Sequence, residues 1–454
     1  MSSTQSTVSS KIRLVWGLTF LVLIGIAAIR IWNPAPDRLL DYGQRRTAVT
    51  NDNLAFQLSR GRLFSVDFDD PEWKQDRNIT AEEFETLDNW AVFTRGPTTR
   101  SPPLFPLVQT LGQTAGRWRN HATLTFQTMF NAAALATLLV FATKHLETRW
   151  LIPLALFLLA FDQSLFWNSH RFVVNELSVG LVAMLVVSAS SATVRGTVGA
   201  WATLGFWLAL QVLNEGQSLI WLGWGLLIWP IMLASWGISG RSIPKFLWPS
   251  LAMATVILLV CGPWWVRNAQ LTNLGGAWGY DLPIQLTGGY FDDVIVNRGQ
   301  IAYGPIRIVE SSISSGKRYR ELDQPHRERA MADLAFKHTF GWLGRNLSQV
   351  PPLIQWKVLN HLNLTKSPIQ VGANGLLLVL AFLGCWMSRV PLGFWIAALI
   401  LISVLTNAVT WSDGGYSSIP LRPLIAIAAS YAIIFTLRNG WNWLRRKSIA
   451  SLKT

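Results

Sequence analysis

Residues 246–268 read FLWPSLAMATVILLVCGPWWVRN. No charged side chain interrupts this run before Arg267, and it closes on Pro263-Trp264-Trp265-Val266-Arg267-Asn268. About twenty apolar residues in a helix cross a hydrocarbon layer roughly 30 Å thick. Trp and Arg at the end of such a run suit the membrane–water boundary. Similar runs recur along the chain, giving ten candidate spans at about 13–32, 122–143, 150–167, 172–190, 198–213, 217–236, 246–266, 372–388, 391–409 and 417–437. The 150–167 and 198–213 runs carry the weakest signal. A lipid-facing segment must satisfy its own backbone polar groups, so these spans are expected to be helices. The expected fold is an all-α polytopic membrane protein of about ten transmembrane helices, with two large extracytoplasmic loops containing amphipathic helices.

Composition points the same way. Only 14% of the 454 residues are charged, against about 25% in soluble domains. The net charge of +14 invites a nucleic-acid reading. The Lys and Arg are instead scattered over the loops between spans and form no basic module, which argues against nucleic acid as a partner. The positive-inside rule and contact with anionic lipid account for the charge. Cys261 and Cys385, the two cysteines, fall inside apolar runs and read as buried small hydrophobes. The polar N-terminus, with Lys11 and Arg13, leads into a run ending near Arg30 and Trp32 with no A-x-A pattern after it. It is therefore read as a retained first span.

With the N-terminus in the cytoplasm, Lys144, Arg149, Arg195, Arg241, Lys245 and Arg389 all fall in inner loops. Residues 438–454 become a basic cytoplasmic tail behind a membrane domain of residues 1–437. Two long outer loops, 33–121 and 267–371, hold most of the carboxylates. In the first, Asp41–Arg60 reads as an amphipathic helix closed by Gly61. Asp67–Trp73 reads as an acidic turn, and Thr80 with Glu83 as a capping-box start. In the second, Gly/Asn-rich turns at 273–289 precede a charged helix at about 320–345. The sequons at Asn78, Asn346 and Asn363 all lie in these outer loops.

Several polar residues stand where an apolar chain has little structural need of them. Arg100-Ser101-Pro102-Pro103 precedes the second membrane block. Pro102 and Pro103 stiffen that turn, so the Arg100 guanidinium can meet a phosphate with two parallel hydrogen bonds. Arg267 can supply a second cation. For both arginines the alternative is snorkelling to the headgroups. Asn168–Glu176 forms the loop between spans three and four. Its Glu176 stands at the outer membrane edge, where an ionisable group is costly unless it faces a cavity or partner. Its alternative is a dipole contact or pairing with Arg171. His170 lies beside it. Asp41, just after span one, is the leading candidate for a general base, with Asp52 second. A simple helix cap is the alternative for Asp41. Glu215, between spans five and six, lines a site or sits in a solvated turn.

Taken in order, these strings resemble the GT-C membrane glycosyltransferases, in particular the protein-mannosyltransferase and aminoarabinose-transferase-like group (glycosyltransferase family 39 and bacterial relatives). The matching features are an acid soon after the first span, LAFQLSRGRLFS at 54–65, RSPPLFP at 100–106, SHRFVVNELS at 169–178 and CGPWWVRN at 261–268. The resemblance covers residues 13 to about 350. It implies a polyprenyl-phosphate-sugar donor and a lipid, glycan or protein acceptor on the outer face. It assigns Asp41 or Asp52 as the first-loop acid, Glu176 as the second-loop acid, and Arg100 and Arg267 as donor-phosphate contacts. The chain departs from the pattern where Ser101 precedes Pro102, where Glu stands at 176, and in the distance of the first-loop acid from Gly61. No resident cofactor is implied, and a divalent metal is left open. The localisation expected is multi-pass in the cell inner or plasma membrane, with an extracytoplasmic active site. A transporter or lipid flippase, and a degenerate non-catalytic member, are the competing classes.

Overall fold

The computed structural model describes residues 2–31, 46–77, 95–162, 174–223, 244–272, 281–301, 322–365, 367–410 and 416–451, together with 304, 306, 308–309 and 312–313. Among the described residues, seven helices are long and apolar enough to cross a membrane: α1 (Ser2–Ile31), then, past the first loop, those containing Arg119–His145, Leu177–Arg195, Leu247–Thr272, Pro368–Ser388, Pro391–Val409 and Ser418–Arg445. This is an all-α membrane architecture. The two weak runs form apolar helices that are shorter, Leu151–Ala160 and Val198–Asn214. The run at 217–236 lies mostly outside the described residues.

The first loop holds α2 (Arg46–Ser59), β1 (Ser65–Asp67), α3 (Pro71–Asp76), β2 (Arg95–Pro97) and α4 (Leu104–Gln113). Helix α2 stops where expected, at Gly61 with φ +78°. The acidic stretch is more than a turn. Asp67 ends a strand paired antiparallel with β2, and Asp70 caps α3 by accepting from the N–H groups of Glu72 and Trp73. Residues 41–45 and the expected Thr80–Glu83 start lie outside the described residues.

The membrane block follows with α5 (Arg119–His145), α6 (Leu151–Phe161), α7 (Val174–Arg195), α8 (Val198–Asn214) and α9 (Pro244–Thr272). The second loop holds α10 (Asp281–Gly289), α11 (Asp292–Val296), α12 (Gln324–Arg345) and α13 (Val350–His361). Residues 281–289 are thus helical, where turns were expected. Three more membrane helices close the chain: α14 (Pro368–Ser388), α15 (Pro391–Val409) and α16 (Arg422–Ser451). The last runs on through the basic segment after 438.

Side-chain polarity sorts the bundle. Its core joins Leu138, Leu139, Val182, Val186, Leu424 and Ile427, while Leu376, Val379, Phe382 and Trp386 stand exposed on α14, as lipid contact requires. Small residues let backbones meet. A Cβ on Gly384 would lie 1.9 Å from the Ala428 carbonyl oxygen, so α14 and α16 touch directly there. Hydrogen bonds join the starts of α5, α7, α14 and α16 and the ends of α8, α9 and α15 to the loop segments or to one another. These ends form one loop side. The tight connections at the opposite side carry Lys144, Arg149, Arg195 and Arg389, all exposed.

Candidate functional site

Strand β2 delivers Thr98 and Thr99 to a point where the two long loops meet. The Thr98 N–H donates to the Phe64 carbonyl at 3.1 Å, continuing the β1–β2 pairing. Arg267, at the loop-side end of α9, donates from Nη2 to the Phe64 carbonyl at 2.9 Å and from Nη1 to the Thr98 carbonyl at 3.1 Å. Nη1 also reaches Asn268 Oδ1 at 3.1 Å. The guanidinium lies 4.6 Å from the Trp264 ring and 5.5 Å from the Phe64 ring, a cation–π cradle. Phe64 holds φ at +40°, a strained value for a residue with a Cβ, and Arg267 fixes it from both its carbonyl and its ring. Arg267 therefore acts as a clamp on the loop.

Glu328 holds the same two threonines from the other loop. Its carboxylate accepts from the Thr99 N–H and hydroxyl, each at 2.6 Å, from the Thr98 hydroxyl, and from Gln324 Nε2 at 3.0 Å. The group is fully buried. Burial pushes its pKa above the usual carboxylate value, and the four donors oppose that. Strand β2 crosses α12 so closely that a Cβ on Gly96, at φ +135°, would lie 2.8 Å from Gln324 Cβ. Only glycine combines that approach with that backbone angle.

Arg100 and Ser101-Pro102-Pro103 follow this junction at once. The Arg100 N–H donates to Thr98 Oγ1 at 3.1 Å, and its side chain is half-buried. Ser101 and Pro103 are buried, Pro102 half-buried, and Pro103 stands at the N-cap of α4. Leu104, the first residue of α4, packs among Val108, Leu177 and Leu181. The loop thus leads onto the start of α7, the helix that contains Glu176.

Glu215 caps the end of α8 beside that start. Its Oε2 accepts from Gln211 Nε2 at 3.1 Å and from Ser178 Oγ at 3.4 Å. Glu215 and Gln211 line a small cavity with Ser403, Thr406 and Asn407 of α15. His361 adjoins it, 3.2 Å from Ser403 Oγ, and burial with nearby Arg422 lowers its pKa to about 3. Lys357, one turn earlier on α13, is sealed between the Tyr290 ring at 3.6 Å and the Thr410 carbonyl at 2.6 Å. Burial holds its pKa well below the usual lysine value.

Asp52 stands apart from the junction. It pairs with Arg77 through Nε at 2.7 Å and Nη2 at 2.9 Å, and takes the Trp73 indole N–H at 3.0 Å. Both side chains are buried. Asp52 is tied into the first loop's own core. Asp41, His170 and Arg171 lie outside the described residues. For Glu176 only the helical backbone is described. Among the sequons, Asn363 is buried with Nδ2 toward Ser418 Oγ, a poor place for a glycan, and Asn78 lies outside the described residues. Among the described residues no group of three or more His, Cys, Asp or Glu is arranged to hold a metal ion.

Glu328 escaped the sequence reading, yet a signal was present. Glu328, Met331, Ala332 and Ala335 repeat at helical spacing, and all four are buried. A carboxylate in an apolar stripe demands a partner.

Comparison with known proteins identifies no relative: no family model, no curated protein and no solved structure matches the chain.

Proposed function

We propose that this chain is a membrane glycosyltransferase. It moves a sugar from a polyprenyl phosphate to a lipid, glycan or protein acceptor on the extracytoplasmic face. The observation that carries the proposal is the convergence of Arg267 and Glu328 on Thr98 and Thr99, immediately before Arg100-Ser101-Pro102-Pro103. Residues 169 and 229 positions apart are held together to present one stiff basic turn at the loop side of the bundle. Exposed Lys and Arg crowd the opposite side, which supports a cytoplasmic orientation for that side.

In the reaction, the bond between the sugar C1 and the phosphate oxygen breaks as the acceptor atom bonds to C1. The polyprenyl phosphate leaves with the electron pair, and the acceptor proton goes to a carboxylate. A phosphate is already a good leaving group, so cations on it and a base for the acceptor suffice. Arg100 is assigned to the phosphate, with Arg267 positioning its loop. Asp52 is engaged by Arg77, so Asp41 is assigned as base, with Glu176 beside the reacting sugar. The test is transfer of radiolabelled sugar from polyprenyl phosphate in membranes carrying Asp41→Asn, Glu176→Gln or Arg100→Ala. Each variant is expected to lose transfer. Full activity in all three overturns the proposal.

A further inference from the structure

Three buried amide atoms, Gln109 Oε1, Gln127 Oε1 and Gln127 Nε2, have no hydrogen-bond partner among the described residues. Gln109 is 4% exposed and Gln127 3%. Native folds leave few such groups, because each loses its hydration without replacement. Gln127 also lies in a candidate span, where an unsatisfied polar group calls for a functional account.

Helix geometry brings the two residues to one level. Helices α4 and α5 form a hairpin and run antiparallel. They touch at Gly112, where a Cβ would lie 2.1 Å from Thr123 Oγ1. One turn further from the hairpin tip on each helix stand Gln109 and Gln127. Helices α5 and α7 both start at the loop side and run parallel. They are tied by the Gly180 N–H donating to Asn131 Oδ1 at 2.9 Å. One turn back toward the loop side stand Gln127 on α5 and the backbone of Glu176 on α7. Two glutamines and the Glu176 position therefore share one layer, beneath a helix whose entry is set by Arg100–Pro103.

We propose that Gln109 and Gln127 form the subsite that reads the sugar hydroxyls of the donor. A side-chain amide carries both an acceptor oxygen and two N–H donors. A hydroxyl both donates and accepts, so a sugar ring matches the pair where a bare phosphate or an alkyl chain does not. The glutamines do not satisfy one another, as an amide pair kept for packing alone would. This assignment rests on the glycosyltransferase proposal and adds the residues that recognise the sugar rather than the phosphate.

The test is binding, measured apart from turnover. Purified protein in detergent is titrated with decaprenyl phosphate carrying glucose, mannose or arabinose, and with decaprenyl phosphate alone. Wild type is expected to prefer at least one sugar-bearing lipid. Gln127→Met keeps volume and removes the amide. It is expected to lose about tenfold in affinity for that lipid, to bind the bare lipid as wild type does, and to melt no lower. Gln109→Met should show a smaller loss of the same kind, and serves as the second variant if Gln127→Met misfolds. A preference kept in both variants overturns the subsite and leaves the glycosyltransferase proposal standing; water alone then fills the layer. Wild type binding neither class of lipid overturns both.

Discussion

Glu328 accepts the backbone N–H of Thr99 at 2.6 Å across 229 residues of chain, so one buried carboxylate joins the two long loops. Glu328→Ala leaves that N–H, two hydroxyls and the Gln324 amide without their acceptor. The expected loss is about 3 kcal/mol, read as a lower melting temperature with transfer reduced in parallel. Glu328→Gln keeps an acceptor oxygen, and the threonine hydroxyls can rotate to accept from its amide, so its loss should be nearer 1 kcal/mol.

The same carboxylate predicts a pH dependence. Its folded pKa is raised, so the folded state holds the proton more tightly than the unfolded chain does. The associated stability is fully present below the ordinary glutamate pKa and is lost as pH rises through the folded value. His361 slopes the other way. Its folded pKa of about 3 gives stability that is present above about 6.5 and lost as pH falls toward 3. Melting curves between pH 4 and 9, on the order of one point per half unit, should lose the fall with rising pH above the ordinary glutamate pKa in Glu328→Gln, and the fall with dropping pH below about 6.5 in His361→Gln. An unchanged profile in both variants removes these two groups as the cause.

Asp52 can be separated from catalysis by a double substitution. Asp52→Asn alone takes from buried Arg77 one of its two carboxylate partners and leaves it Asp76, a cost of about 1.5–3 kcal/mol. Converting both residues, Asp52→Asn with Arg77→Met, also removes the buried guanidinium that the lost carboxylate faced and should recover part of that stability. Transfer activity in the double variant is expected to stay near wild type. A stable but inactive double variant would return the base role to Asp52.

Arg267 reaches two backbone carbonyls from two separate nitrogens of one planar fork, a geometry that the single nitrogen of a lysine does not reproduce. Arg267→Lys is therefore expected to free Phe64 from its strained φ and loosen Thr98. Hydrogen exchange at residues 64–67 and 95–99 should quicken about tenfold or more, with the rest of the bundle unchanged. Unchanged exchange at these residues in Arg267→Lys would show that the clamp is dispensable.

How much of this was legible beforehand follows from range. Seven of the ten expected spans were visible because lipid imposes a long apolar period on contiguous residues, as in 246–266. The α2 stop at Gly61 and the helix at 324–345 were legible for similar local reasons. Strands β1 and β2 were not, because three residues carry no alternation and their pairing depends on the distant Arg267 and Gln324. Residues 281–289 carry turn-forming Asp, Pro and Gly, yet packing of Thr287 against Ala335 and Thr339 of α12 holds them helical, a tertiary override of propensity. Arg100 and Arg267 were picked out together, but the loop-clamping contacts of Arg267 were not. A guanidinium looks the same in sequence whether it clamps a carbonyl or faces a phosphate.

Arg100 gives the sharpest separation of those duties. It is half-buried on a loop already fixed by its neighbours, so replacing it should lower stability by no more than about 1.5 kcal/mol. If it meets the donor phosphate, its contribution grows as negative charge develops on the leaving group. Its loss should then appear in kcat as well as KM. Arg100→Ala is expected to lower kcat/KM for the lipid-linked sugar about 100-fold or more. Arg100→Lys, which keeps the charge but not the planar fork, should fall between. Arg267→Lys, acting only through the loop, should give a loss that shrinks when the loop is braced by an engineered disulfide between β1 and β2. The Arg100 loss should not respond to that brace. An Arg100→Ala enzyme restored by the brace would make Arg100 a positioning residue too and leave the phosphate without its assigned cation.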